Sequence, residues 1–121
     1  MDFSRNFQPR QIVCLEHKDT RLYAEVIQVV ESRQVCWVRP LLLAEFPHQN
    51  YSSFEPPLYD LRSSADLVWP LTLFRPALDT EVIPLLVELL TLEPQPDCDP
   101  AAQQQLNQFI HRVWQAHPDA F

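Results

Sequence analysis

Cys36, His48 and Asp60 are the residue types a thiol-based active site requires: a nucleophile, a base and a carboxylate to orient the base. Nothing in their spacing makes them meet, so no catalytic residue is assigned and the expectation is a non-enzymatic protein. The stretch QVCWVRPLLL, residues 34–43, sharpens the question, because Cys36 stands three residues from the cation of Arg39. In an extended segment side chains alternate. Val35, Trp37 and Arg39 then point one way, and Cys36 with Val38 the other. The cation does not lie over the thiol, so Cys36 is expected to pack as a small hydrophobe, and Trp37 with Arg39 becomes the pair to watch.

The remaining chemistry is sparse. Cys14, Cys36 and Cys98 are an odd count with no CxxC pair, which argues for reduced thiols rather than a disulfide framework or a zinc site. Cys98, between Asp97 and Asp99, is expected to be exposed and disfavoured as a thiolate. His17 sits beside Lys18 and Asp19 in a predicted turn. His111 and His117 are not at the i, i+4 spacing of a helical metal pair, and HExxH is absent. No metal and no cofactor are expected. Asp60 and Asp66 flank Arg62 and read as a solvated ion-pair network.

Binding is better supplied than catalysis. Trp37, Arg39, Tyr51, Phe54, Arg62 and Trp69 are of the types that anchor protein interfaces. They are the expected partner-binding residues of a protein-interaction or complex-assembly module, an adaptor whose partner is another protein or multiprotein complex. Residues 58–83, with Arg62 and Arg75, are a second such surface. The alternative is a small barrel that binds nucleic acid or reads methylated side chains through an aromatic cage of Tyr23, Trp37, Tyr51 and Phe54. Charge speaks against nucleic acid. The net charge of −7 falls entirely within residues 46–121, while residues 1–45 balance; a phosphate backbone needs a cationic footprint. Arg10, Lys18, Arg21, Arg33 and Arg39 are diluted by nearby acids.

The elements that position these residues follow from patterning. Residues 10–76 are expected to form a β-rich body, and residues 79–118 a helical part interrupted by a proline-spaced linker at 93–99, together one domain of 121 residues. Residues 1–9 form a polar arm with Phe3 and Phe7 available to dock. In TRLYAEVIQVV, residues 20–30, Leu22, Ala24 and Val26 share one face while Tyr23, Glu25 and Ile27 share the other; Val29 and Val30 break the pattern and signal a bulge or burial on both sides. Glu31 to Gln34 is a hairpin turn and residues 35–43 the return strand, with Pro40 breaking its ladder or confining it to an edge. Residues 46–57 are a loop; LYDLR and LVWPLTLF pair as a hairpin. The chain has no glycine and twelve prolines, which excludes a glycine-rich phosphate loop and leaves turns to Asp, Asn and Ser.

The fold class expected is α+β: a small bent antiparallel sheet of four or five strands, or an SH3-like barrel, followed by two C-terminal helices. A mixed layer arrangement is the other possibility. In the first helix Thr80 or Asp79 is the expected cap and Pro84 limits how early regular helix begins. In the second, Asp99 caps, Pro100 takes the first position, and Leu106, Phe109, Ile110 and Val113, with Trp114 at its margin, form the buried face. A homodimer through this last helix is a further expectation. No apolar run approaches the roughly 20 residues a membrane span needs, and the start has no signal-peptide core, so a cytoplasmic location is expected.

Overall fold

The computed structural model describes residues 7–46 and 58–120. Three long strands make the centre: β1 (Ile12–His17), β2 (Thr20–Val30) and β3 (Val35–Glu45). Three short ones complete the sheet: β4 (Leu58–Asp60), β5 (Leu67–Pro70) and β6 (Arg75–Pro76). The helices α1 (Asp79–Leu90) and α2 (Pro100–Ala116) follow. The sheet order is β4-β3-β2-β1-β6, with β5 also on β3, and every pairing is antiparallel.

This sheet is open, which corrects the SH3-like barrel. Among the described residues β4 pairs only with β3 and β6 only with β1, so no pairing between them closes the ends. The physical reason lies in β1 and β2, which are buried on both faces. Val13, Leu15, Leu22, Ala24 and Val26 belong to one core with α2, whereas Cys14 and Tyr23 belong to another with α1. A small barrel has one interior to fill; this sheet has an apolar load on each side and takes a helix on each. The hairpin expected between LYDLR and LVWPLTLF does not form either. β4 and β5 pair separately with two lengths of β3, at Leu42–Ala44 and Val35–Val38.

Two irregularities set which side chains face which core. Ile27 is the extra residue where Val26 opposes Val38 and Gln28 opposes Trp37, and Leu41 is the extra residue where Tyr23 opposes Leu42 and Ala24 opposes Pro40. Each insertion inverts the alternation beyond it. Pro40, expected to interrupt the strand or lie at an edge, sits inside β3 at the second irregularity, between the lengths paired by β4 and β5. Proline in a strand is ordinarily confined to such irregularities or to edges.

With no glycine, the left-handed positions fall to ordinary residues: Arg10 (φ 74°), Lys18 (φ 54°) and Gln34 (φ 55°). Lys18 closes the β1–β2 turn and Gln34 the β2–β3 turn, where its side chain donates to the Glu31 carbonyl at 2.7 Å. Phe7 docks into the α2-side core.

Helix α2 starts as its sequence demands, with the Asp99 carboxylate accepting from the Ala101 N–H and Pro100 at the first position. Ala102, Leu106, Phe109 and Val113 are buried, Ile110 half-buried, and Trp114 exposed beside His111. Helix α1 departs from expectation. Its N-cap is Leu78, and Pro84 lies within the helix rather than limiting its start. Pro84 is exposed, so the carbonyl it leaves unbonded four residues earlier is on the solvent side. Leu78 has no side-chain acceptor; instead Glu81 reaches back to accept the Leu78 N–H at 3.0 Å, the reciprocal half of a capping box. None of the helices among the described residues is long and apolar enough to cross a membrane.

Candidate interaction surface

Trp37 and Arg39 leave β3 on the same side, as alternation requires, and one carboxylate holds both. Asp66 accepts from the indole N–H of Trp37 at 3.0 Å and from Nε of Arg39 at 3.2 Å. Register explains the meeting. Because Trp37 opposes Val68 and Val38 opposes Leu67, the residue before β5 arrives opposite Arg39. Trp37 is 37% exposed and its neighbour Val68 59% exposed; Gln28 flanks it on the β2 side. Helix α1 packs over Cys14, Tyr23, Leu42 and Ala44 at the other end of this face. The Trp37 end keeps an apolar surface whose polar tips are already fixed.

The other expected binding residues are placed elsewhere. Trp69, one residue along from Val68, belongs to the opposite face and is buried in the α2-side core. Arg62 grips Asp60 with two bonds, Nε to Oδ1 at 3.0 Å and Nη2 to Oδ2 at 2.8 Å, and reaches the Leu92 carbonyl at 3.1 Å. Ser63 donates to the Gln95 carbonyl beside it. Together they staple the linker after α1 to the loop after β4. Arg62 holds the Asp60 carboxyl below its usual range. Of the expected Asp60–Arg62–Asp66 network only the first pair forms, since Asp66 belongs to Trp37 and Arg39. Tyr51, Phe54 and His48 lie outside the described residues.

Sequence reasoning missed a second polar centre. Glu81, in the first turn of α1, accepts from the Tyr23 hydroxyl at 2.7 Å and from both terminal nitrogens of Arg75 at 3.0 Å. Arg75 also binds Glu16 at 3.1 Å, and Arg21 lies near both acids while its guanidinium stacks 4.4 Å from the Phe46 ring centroid. Burial alone would raise the Glu81 carboxyl; the bonds from Arg75, Tyr23 and Leu78 outweigh it and hold it at about 2. Such a carboxylate stays ionised with its lone pairs committed. It is a structural clamp between helix and sheet, unsuited to accepting a proton in a reaction. Arg75, on the second expected surface, is consumed here.

The thiols are poor nucleophiles. Burial raises Cys14 to about 12 and Cys36 to about 11, and both are wholly buried. Cys98 is half-buried rather than exposed, and burial followed by the charges of Asp60 and Asp99 raises it too. A thiol reagent at neutral pH should therefore modify one cysteine, Cys98, slowly, with Cys14 and Cys36 reacting only after denaturation. Ellman titration in buffer and in guanidinium measures this; two native equivalents would contradict the packing. Asp60 lines a cleft of about 580 Å³ with Cys98, whereas Cys36 is in the core, so the structure does not bring these two members of the expected Cys36–His48–Asp60 set together; His48 lies outside the described residues. His17 is held below its usual value by burial and by Lys18, His117 and Arg112. No group of three His, Cys, Asp or Glu among the described residues is placed to hold a metal.

The features that favoured nucleic-acid or methyl-mark recognition weaken. The barrel is absent, and Tyr23, expected in a cage, is buried under α1 with its hydroxyl on Glu81. Two of the five scattered cations, Arg21 and Arg39, are paired with acids. Compared with known proteins, the chain matches no family model, no curated protein and no solved structure.

Proposed function

We propose that this chain is a non-enzymatic protein-interaction or complex-assembly module whose contact surface centres on Trp37 and Arg39. The observation that carries this reading is the shared Asp66 carboxylate, which fixes an exposed indole and a guanidinium on one uncovered part of the sheet. A partner meeting anchors already held in place loses less side-chain freedom on binding, and Trp and Arg are the residues that most often dominate such contacts. The partner is a protein or multiprotein complex. Tyr51 and Phe54 remain part of the proposed surface; Arg62 and Trp69 have stabilising tasks that account for them. The homodimer through α2 now rests on Trp114, 54% exposed, because the rest of that helix's apolar face is spent on the sheet. A cytoplasmic setting fits three unpaired thiols.

Pull-down from source-cell lysate tests this, with and without nuclease. The wild-type chain should retain a protein complex despite nuclease. Trp37→Ala with Arg39→Ala should lose it, and Asp66→Ala, which keeps both anchors but frees them, should weaken it. Recovery that vanishes with nuclease, or is unchanged in the double variant, would overturn the proposal.

A further inference from the structure

Helix α1 is apolar on two sides. Val82, Leu85 and Leu89 face the sheet. Ile83, Val87 and Leu90 face away and are 52%, 59% and 74% exposed. Their i, i+4, i+7 spacing puts them in one line along the outer surface; Leu78 before the helix and Leu92 after it are exposed as well. Of the eight large hydrophobic residues exposed among those described, five belong to α1 and its two flanks. A helix on a sheet ordinarily turns polar residues outward, so this concentration marks a surface built to be covered.

The charge around the stripe selects what covers it. Asp79 stands four residues before Ile83 in the same line, Glu88 lies about 100° round the helix from Val87 on its far flank, and Glu93 is just past the end. None of these three is in an ion pair among the described residues. From Pro76 to His111 the sequence holds six acids and neither lysine nor arginine. The carbonyl end of α1 adds negative potential beside Leu90. A second copy docked here by a two-fold axis would bring these acids together, the cation at the Leu92 carbonyl, Arg62, being already held by Asp60, and an anionic membrane surface would repel them. The face is also small: twelve residues give about 18 Å of helix, which suits one docked helix of modest affinity and not an interface of roughly 800 Å² per partner.

We infer that the outer face of α1 docks a cationic amphipathic helix of another protein, whose apolar stripe covers Ile83, Val87 and Leu90 while its lysines or arginines meet Asp79, Glu88 and Glu93. The contact is helix against helix, apolar in the middle and ionic at the rim. It is a second surface, separate in its residues from Trp37 and Arg39.

The probe is a fluorescein-labelled synthetic 18-residue peptide with leucine at helical spacing and lysine elsewhere, compared with a leucine–glutamate counterpart by anisotropy on the intact chain. The lysine peptide should bind in the micromolar range and the glutamate peptide should not. The variant Ile83→Gln/Val87→Gln/Leu90→Gln, which keeps every charge, should bind at least tenfold more weakly. Asp79→Asn/Glu88→Gln/Glu93→Gln, which keeps the apolar stripe, should weaken binding by a similar factor. Trp37→Ala/Arg39→Ala should leave it unchanged, which separates this inference from the proposal above. Circular dichroism checks that all variants stay folded. Equal binding by the triple-glutamine variant would mean attraction to net charge alone. Equal binding of the glutamate peptide, or a concentration-dependent dimer in sedimentation that the triple-glutamine variant abolishes, would show a different occupant. Any of these outcomes overturns the inference.

Discussion

Phe109→Ala should lower the stability of the chain by about 3–5 kcal/mol, the range for truncating a buried aromatic ring, and its melting temperature by roughly 12–20 °C. Phe109 is 1% exposed and stands between Leu106 and Val113 on the side of α2 that meets the sheet. The side chains it packs among come from β1, β2, β3 and the segment around Phe74. Their strands are fixed by backbone ladders, so they are poorly able to collapse into the space the ring leaves. That is the situation in which the cavity term adds to the lost transfer free energy. Total stabilities of domains are about 5–15 kcal/mol, so a loss of this size removes between about a fifth and all of such a stability. Trp114→Ala is the matched control, a larger side chain on the same helix but exposed to solvent; at high dilution, where the proposed contact through Trp114 is not formed, its effect should stay within about 0.5 kcal/mol. Urea denaturation of both variants measures the difference. Similar costs for the two would mean that α2 meets the sheet through a different face.

Much of this architecture could be read from residue order, wherever the signal was local. Alternation put Leu22, Ala24 and Val26 on one face and Tyr23 on the other, and the two cores divide them in that way. The same rule put Cys36 inside and Trp37 beside Arg39. Asp99-Pro100 marked the start of α2 because an oxygen acceptor followed by a residue lacking an N–H fits only a helix entrance. What escaped depended on partners distant in the chain. The extra residues at Ile27 and Leu41 become visible only when β2 and β3 are laid side by side. Val29 and Val30 signal a bulge or burial on both sides without deciding between them, and neither the position at Ile27 nor the twin at Leu41 follows from them. Pairing of LVWP with β3 rather than with LYDLR is a choice among similar short apolar strands, and Asp66 meets Trp37 and Arg39 only because of that choice. The barrel expectation failed for a related reason: short strands suggested closure, while the apolar load on both faces of β1 and β2 called for two helices. In α1, the backbone bond that proline removes argues against regular helix before Pro84. The stabilisation that offsets it, through Glu81, comes from Tyr23 and Arg75 outside the helix.

That clamp carries the prediction with the clearest dependence on pH. Glu81→Ala should cost about 3 kcal/mol, since Glu81 itself is only 14% exposed, although solvent partly screens its partners Arg75 and Arg21. Tyr23 would keep a buried hydroxyl without its acceptor, Arg75 would retain only Glu16 and a backbone carbonyl, and the Leu78 N–H would lose its acceptor. Tyr23→Phe removes one bond and should cost only about 1 kcal/mol. The sign of the pH effect follows from the direction of the shift. The Glu81 carboxyl lies at about 2 in the folded chain against an ordinary value of 4.5. A depressed carboxyl contributes stability that is fully present above its unfolded value and is lost as pH falls toward its folded one. The wild-type chain should therefore lose about 3 kcal/mol from this group between roughly pH 5 and pH 2. Glu81→Ala should be less stable than wild type at pH 7 and should converge on it as pH approaches 2, because protonation takes from the wild type much of what the substitution removes. Urea midpoints at pH 7, 5, 4, 3 and 2 give the two profiles. Parallel profiles across that range would mean that Glu81 contributes by filling space and not by its charge, and that α1 is held to the sheet by Val82, Leu85 and Leu89 alone.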